Sequence, residues 1–429
     1  MLSSGAIRRS GQSTRKVTTK RAVASAALTL AAVSAAVGGG AVAGASAGSG
    51  NSGSGEATGT PVTIGMITDA GGSGGIGTSA LVEQGAKAAV AYVNSNLGGL
   101  EGHKVNLYIC ENQNTPAGGQ TCANDMVQKG VVAVVEPFTG QGQTEVPTIA
   151  GAGIPYIAIS GGSTAELTTP GAFDITGGFP AYIGAEALSA KQHGIKKVAF
   201  LVENVPSAIQ GTQELGGIVY KAAGVGLDVV PVNPGTADAS PQLQSAVSSG
   251  ADAVGVIGDV TMCSTFLKAY NTLSLHLPRW VLSTCQDPSI LGSSTLDKAL
   301  AGSYITTLSQ SSKAQNAEYA AIIKKYAKGV STNPNVSSNQ SDGVVPVLTL
   351  AAVMKGSTQP VTAAGIKAAM ASTKNVPIPM AGGLTFTCNG TAIPLLKDVC
   401  SSSAAIGVIQ AGKAGKVTHI TTYNPTSLF

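Results

Sequence analysis

Val62-Thr63-Ile64-Gly65-Met66-Ile67-Thr68-Asp69-Ala70-Gly71-Gly72-Ser73-Gly74-Gly75 sets the pattern that decides the fold. A short apolar run gives way to small polar residues, and a helical pattern then lasts to about Asn96. The unit recurs along residues 61–180. Lys104–Cys110 ends in Glu111-Asn112-Gln113-Asn114, Val131–Phe138 in Thr139-Gly140-Gln141-Gly142, and Pro155–Ser160 in Gly161-Gly162-Ser163-Thr164. Short apolar runs alternating with helical segments predict a parallel sheet with helices on both faces. Such a sheet binds ligands at the carboxyl ends of its strands, where helix N-termini present free backbone N–H groups. Loops rich in Gly, Ser and Thr at those ends point to hydrogen-bonded recognition of a small polar molecule rather than to chemistry.

After Phe173–Thr176, Gly177-Gly178-Phe179-Pro180 reads as a crossing into a second lobe. The alternation resumes with helix 181–193, strand Lys197–Glu203, helix 208–223 and strand Leu227–Val232. Helix 241–248, strand Asp252–Gly258, helix 263–274 and strand Arg279–Thr284 follow. Tyr304–Leu308 reads as a strand that returns the chain to the first lobe, ahead of helices over 313–328, 342–355 and 362–372. Gly383–Cys388 and Ala404–Gln410 read as strands, with a hairpin turn at Gly412–Gly415 before Lys416–Thr422. The fold class is α/β: two doubly wound open parallel-sheet lobes joined by a multi-strand hinge. The first lobe is expected from 61–178 and 304–378, the second from 179–303 and 379–429. A cleft between lobes linked by several crossings closes on ligand.

The N-terminus carries Arg8, Arg9, Arg15, Lys16, Lys20 and Arg21 before any acid, then an Ala-rich apolar run from Ala22 to Val37. With Ala45-Ser46-Ala47 as a cleavage site, residues 1–47 read as a secretory signal peptide, a retained anchor being the alternative. The first Cys is Cys110, so a lipid anchor is not expected. Residues 48–60 read as a Gly/Ser tether. What remains is too long for one core and suits two lobes. The net charge of +4 comes largely from the leader, and no basic patch with interleaved aromatics argues for nucleic acid. Charged residues make up 11% and apolar ones 43%, which disfavours a disordered chain.

The six cysteines fall as local pairs, Cys110/Cys122, Cys263/Cys285 and Cys388/Cys400. Six cysteines allow 15 pairings, so order along the chain does not fix one. Position in the expected fold favours the local set, and export favours disulfides worth about 3 kcal/mol each. Zinc is the competing use, but no CxxC or His-Cys cluster is present, and no metal site is expected. His103, His193, His276 and His419 are scattered. Gly72-Ser73-Gly74-Gly75-Ile76-Gly77 has the dinucleotide register, yet the nearest acid at the next strand end is Glu111, too far along. No enzyme activity and no cofactor are expected.

Ile64-Gly65-Met66-Ile67-Thr68 opens the domain, and Gly85-Ala86-Lys87-Ala88-Ala89-Val90-Ala91-Tyr92-Val93-Asn94 lies on its first helix. Gly98-Gly99-Leu100-Glu101-Gly102-His103-Lys104-Val105, Val134-Val135-Glu136-Pro137 and Gly153-Ile154-Pro155-Tyr156-Ile157 follow in order. Together they resemble the type I periplasmic binding proteins, specifically the branched-chain amino-acid binding proteins of ABC transporters, over about 61–425. The resemblance implies a monomer that captures a small molecule between its lobes for an ABC permease in the membrane. It implies that the first lobe holds a ligand carboxylate through amides and hydroxyls of two loops, here Thr139-Gly140-Gln141 and Gly162-Ser163-Thr164. Ser73 is a third candidate. The ligand would be an amino acid, amide or related carboxylate. Gly and Ser at strand ends also simply make turns.

The second lobe departs from the family pattern. Asn204-Val205-Pro206-Ser207-Ala208-Ile209-Gln210-Gly211 lacks the Tyr of the family's turn, and Thr284-Cys285-Gln286-Asp287 lacks its Glu for the ligand ammonium. A buried ammonium needs a negative partner, for which Asp259 or Asp287 is available. Asp259 reads equally well as the N-cap of the following helix. A ligand sensor for a membrane receptor, or a surface protein of this fold that has lost its ligand, are the other readings.

Overall fold

The computed structural model describes residues 55–69, 80–307, 313–329, 331–332, 338–410, 412 and 415–429. The expected leader, most of the tether and Ser73 lie outside the described residues. Five strands, β1 (Gly59–Thr68), β2 (His103–Glu111), β3 (Val134–Glu136), β4 (Tyr156–Ala158) and β5 (Ala172–Asp174), form one sheet. Its order is β2-β1-β3-β4-β5, with every neighbouring pair parallel. The tether boundary shifts slightly, because β1 begins at Gly59, paired with His103.

The next strands are β6 (Lys197–Glu203), β7 (Gly226–Val232), β8 (Ala253–Ile257), β9 (Arg279–Val281) and β10 (Tyr304–Thr307). After a two-stranded pair, β11 (Val376–Pro377) and β12 (Thr385–Phe386), come β13 (Ala404–Ile409) and β14 (Val417–Tyr423). The second sheet runs β14-β13-β10-β9-β8-β6-β7, parallel from β10 to β7 and antiparallel at β13 and β14. Read from β7, its parallel part repeats the first sheet's order. Each sheet therefore reverses winding direction once, between β1 and β3 and between β6 and β8. Those two switch points are where an open α/β sheet leaves a crevice at its carboxyl edge.

Strands β3, β4, β5 and β8 are buried at every position, as coverage of both faces requires. Helices Ala80–Asn96, Lys313–Tyr326 and Ser338–Met354 share one core with the first sheet. Helices Pro116–Gln128 and Gly142–Gly151 pack on its other face. In the second lobe, Gly178–Gln192 and Gly217–Ala223 cover one face, and Ser240–Ser248, Val260–Thr272 and Ser294–Leu300 the other. Trp280, fully buried, stacks on Tyr304 at 4.9 Å and fixes β9 against β10. Each buried Val, Leu or Ile of these cores contributes about 1.5–3 kcal/mol.

Two expected boundaries are corrected. Tyr304–Thr307 does not return to the first lobe: it pairs with Trp280 and Val281 on one side and with Ala405–Val408 on the other. Ile305 is buried in the second core, and only the helix Lys313–Tyr326 is back on the first. Nor does all of 379–429 complete the second lobe. Met380, Ala381, Phe386, Cys388 and Cys400 are buried in the first core, and β13 and β14 alone extend the second sheet. Apolar periodicity reports that a strand is buried, not which of two similar sheets it joins.

Among the described elements the chain changes lobe between β5 and helix Gly178–Gln192, between β10 and helix Lys313–Tyr326, and between Cys400 and β13. The first and last run side by side, since Asp174 N–H donates to Asp398 O (2.8 Å) and Cys400 N–H to Asp174 O (2.7 Å). Gly178 has φ 53°, and a Cβ there would lie 2.4 Å from Gly161 O, so the crossing needs glycine. The expected disulfides are all formed: Cys110–Cys122, Cys263–Cys285 and Cys388–Cys400. Among the described residues no helix is long and apolar enough to cross a membrane.

Candidate functional site

The carboxyl ends of the first sheet are held by buried acids. Glu136 closes β3, and its Oε2 accepts from Ile67 N–H of β1 at 3.1 Å, while Oε1 has no hydrogen-bond partner among the described residues. Next in the chain, Thr139 is buried. Its Oγ1 accepts from Asn112 Nδ2 and from Gln141 N–H, each at 3.0 Å, and lies 3.3 Å from Glu145 Oε1. Asn112 Nδ2 also donates to Glu145 Oε1 at 2.8 Å, and Gln141 Nε2 donates to Asn114 Oδ1 at 3.1 Å. Burial, against the opposing Asn112 hydrogen bond, pushes the Glu145 carboxyl up to about 8. Burial first, then the charges of Glu145 and Glu166, pushes Glu136 well above the usual carboxylate range.

The loop after β4 is held in the same way. Glu166 Oε2 accepts from Gly162 N–H (3.1 Å), Ser163 N–H (2.9 Å) and Ser163 Oγ (2.8 Å). Ser163 Oγ in turn accepts from Glu166 N–H, closing a capping box on the helix Thr164–Thr168. Asp174 Oδ2 accepts from Gly161 N–H at 2.6 Å and Oδ1 from Thr176 N–H at 3.1 Å. The amides of Gly162 and Ser163, expected from the sequence to meet a ligand carboxylate, thus already face the protein's own carboxylate. Thr164 stands exposed at the start of the short helix, and Gly140 and Gln141 are half-buried.

In the second lobe Glu203 closes β6 and Asp259 follows β8 after Gly258. Asp259 N–H donates to Glu203 Oε2 at 2.9 Å, and Asp259 Oδ1 accepts from Met262 N–H at 2.7 Å as the N-cap of helix Val260–Thr272. The capping role weighed from the sequence is the one seen, and the same residue sits beside Glu203. Burial, offset by the Asp259 N–H and reinforced by the charges of Asp259 and Asp69, lifts Glu203 to about 7. Asp287 instead caps the short helix Pro288–Leu291 through Ser289.

Aromatic side chains line the same region. A Cβ on Gly162 would touch both Phe138 Cε2 and Phe179 Cβ at 3.9 Å, and one on Gly211 would come 3.3 Å from the Phe179 ring. Phe138 leaves the first sheet yet packs, with Phe179, against the second lobe's core. The Tyr182 hydroxyl lies 3.2 Å from Thr176 Oγ1 at the first crossing. Sequence reasoning passed over Glu136, Glu203, Phe138 and Phe179. The available signal was the placement of acids at the last position of otherwise apolar runs.

Residues 61–396 match the periplasmic binding protein family. The chain belongs to that family. No curated protein matched it by sequence. Its fold is similar to that of the branched-chain amino acid transporter substrate binding protein of Streptococcus pneumoniae in complex with isoleucine. The two are 18% identical over 85% of this chain and 100% of that one, with a TM-score of 0.65. It is similar to an ABC transporter solute binding protein from R. palustris in complex with 4-hydroxybenzoate (17% identity, 85% and 98% coverage, TM-score 0.68). A fatty acid ABC transporter substrate-binding protein from Thermomonospora curvata has a TM-score of 0.69 at 14% identity, over 87% and 95% of the two chains. This periplasmic binding protein therefore has the type I fold, with two similar α/β lobes.

Proposed function

We propose that this periplasmic binding protein captures a small polar solute between its lobes, outside the cytoplasm, and delivers it to an ABC-type permease. The observation that carries the reading is the pair of switch points, β1/β3 and β6/β8, at the carboxyl edges of two sheets with the same strand order. A ligand seated there touches both lobes only when they approach, so binding shifts the population toward a closed form that a permease can recognise. The crossings next to Gly177 and Gly178 supply the hinge. The named neighbours, with isoleucine, 4-hydroxybenzoate and fatty acid among their ligands, support transport while differing in what they carry.

A thermal-shift screen with the disulfides intact tests this, the panel spanning amino acids, amides, carboxylates, amines and sugars. A ligand at about 100 times its Kd adds roughly 2.7 kcal/mol of stability. A saturable shift with at least one solute is the expected result. A well-folded chain that responds to no member of the panel contradicts capture and favours a protein that has lost its ligand.

A further inference from the structure

The disulfide Cys388–Cys400 closes a loop whose two roots lie in the first lobe. Cys388 N–H donates to Thr373 Oγ1 at 3.0 Å, and Thr387 N–H donates to Cys400 O at 2.8 Å. Besides the pairing of Asp398 and Cys400 with Asp174, Asp398 N–H donates to Leu167 O at 3.3 Å, on the helix Thr164–Thr168 of the same lobe. The loop is stiff for its length. Leu396 N–H donates to Ile393 O at 3.2 Å, and Val399 N–H donates to Leu396 O at 3.3 Å. Between Ile393 and Leu396, Pro394 fixes one turn position and Leu395, at φ 68°, takes the other, as a type II turn requires.

The middle of the loop reaches the second lobe. Ile393 and Val399 are buried with Leu167 in a small apolar cluster, and Leu215, Leu396 and Phe429 pack against it. Leu215 stands on the helical segment Thr212–Gly216, and both Leu215 and Phe429 also pack against the second lobe's core. Phe429 follows the single helical turn Pro425–Leu428, in which Pro425 sits against Gly184 and Leu428 is buried in that core. Thr426 Oγ1 of this turn lies 3.1 Å from Ala392 O. One cluster thus takes side chains from both lobes, and none of them belongs to the residues between the elements where the chain changes lobe. Rotation of one lobe on the other has to shear or part such a packed contact, whereas the crossings need only turn their backbone.

We infer that the Cys388–Cys400 loop is an interlobe strap. Rooted in the first lobe by its disulfide and by Asp174, it grips the C-terminal end of the second lobe and biases the two toward the arrangement seen. Burial of the cluster needs both lobes in place, and a contact made in one state and lost in another shifts the balance between them. Leu167 carries the restraint to the loop Gly162-Ser163-Thr164, which opens its helix. The strap acts on the empty chain, whichever solute is captured.

Pulsed electron spin resonance on the full chain, disulfides oxidised, tests this with labels on cysteines introduced by Thr168→Cys and Ala222→Cys. Both sites are exposed, one next to Leu167 and the other on the helix that follows Leu215. All six native cysteines are paired, so only the introduced thiols take label. Leu396→Ala trims the strap and Leu215→Ala trims the second lobe's side of the cluster. Each side chain is half-buried, so both variants keep their lobes folded. Each is expected to lengthen the mean distance and to broaden its distribution about twofold. Ile290→Val, in the second lobe's core away from the strap, should lower the melting temperature and leave the distribution unchanged. A distribution that stays the same in both strap variants, with circular dichroism showing them folded, overturns the strap. Equal broadening by Ile290→Val overturns it too, because the effect is then general loosening. Solute capture is judged separately, by the thermal screen.

Discussion

The two lobes share one strand order but finish their strand ends differently. In the first, Glu145, Glu166 and Asp174 are fully buried and hydrogen-bonded into the loops after β3 and β4. In the second, Glu203 and Asp259 lean on each other, Asn204 is exposed, and Thr284 Oγ1 donates to Gly258 O at 3.0 Å. The first lobe's loops are therefore held by buried carboxylates, whereas the second lobe's are held by the Asp259 cap, the Cys263–Cys285 disulfide and hydrogen bonds from Thr284 and Gln286 to backbone carbonyls. The departures from the family's amino-acid pattern thus fall in the lobe whose strand ends are held by a disulfide and backbone-directed hydrogen bonds.

Asp174→Ala is the hardest test of that contrast. It leaves the buried amides of Gly161 and Thr176 without their acceptor at the hinge, and a loss of about 4 kcal/mol is expected in urea unfolding. A loss under about 1 kcal/mol would break the comparison. Replacing Cys388 and Cys400 together by Ser should cost about 3 kcal/mol, since the loop they close pairs with Asp174.

A further fully buried acid of the second lobe sharpens the picture. Glu186, on the first helix after the crossing, accepts from Thr306 Oγ1 at 2.7 Å, and burial lifts it to about 8. The folded state keeps a proton that the unfolded chain has released above about 4.5. Stability should thus fall as pH rises from about 4.5 to about 8, by up to about 1.4 kcal/mol per unit, and level off beyond. Chemical denaturation of Glu186→Gln across this range should show a flatter profile; an unchanged profile would assign the dependence elsewhere.

Glu166→Gln should lose about 1 kcal/mol, because an amide oxygen replaces a carboxylate that accepts from Gly162 and Ser163. Thr164→Val is expected to have the smallest effect on the fold, within about 0.5 kcal/mol, because Thr164 is exposed. It should weaken ligand binding severalfold in calorimetry if its hydroxyl faces the solute.

The alternation of strands and helices, both lobes and the three disulfide pairs were legible in the sequence because period and loop chemistry are local properties. Lys197–Glu203 was placed to the residue. The sheet joined by Tyr304–Thr307 was not legible, because two sheets of the same order offer equivalent buried edges. At the site, the loops were found but not what their groups do. Whether the Ser163 amide meets a ligand or Glu166 depends on a side chain folding back from the next helical turn. The role of Glu136 depends on β3 lying beside β1, a neighbour far away in sequence.

Small-angle X-ray scattering, titrated with the best solute from the thermal screen, tests the central claim of capture between lobes most directly. The account predicts a saturable fall in radius of gyration with the same midpoint as the calorimetric binding curve. A solute that binds and stabilises the chain while the radius stays constant would contradict closure on ligand at the switch points.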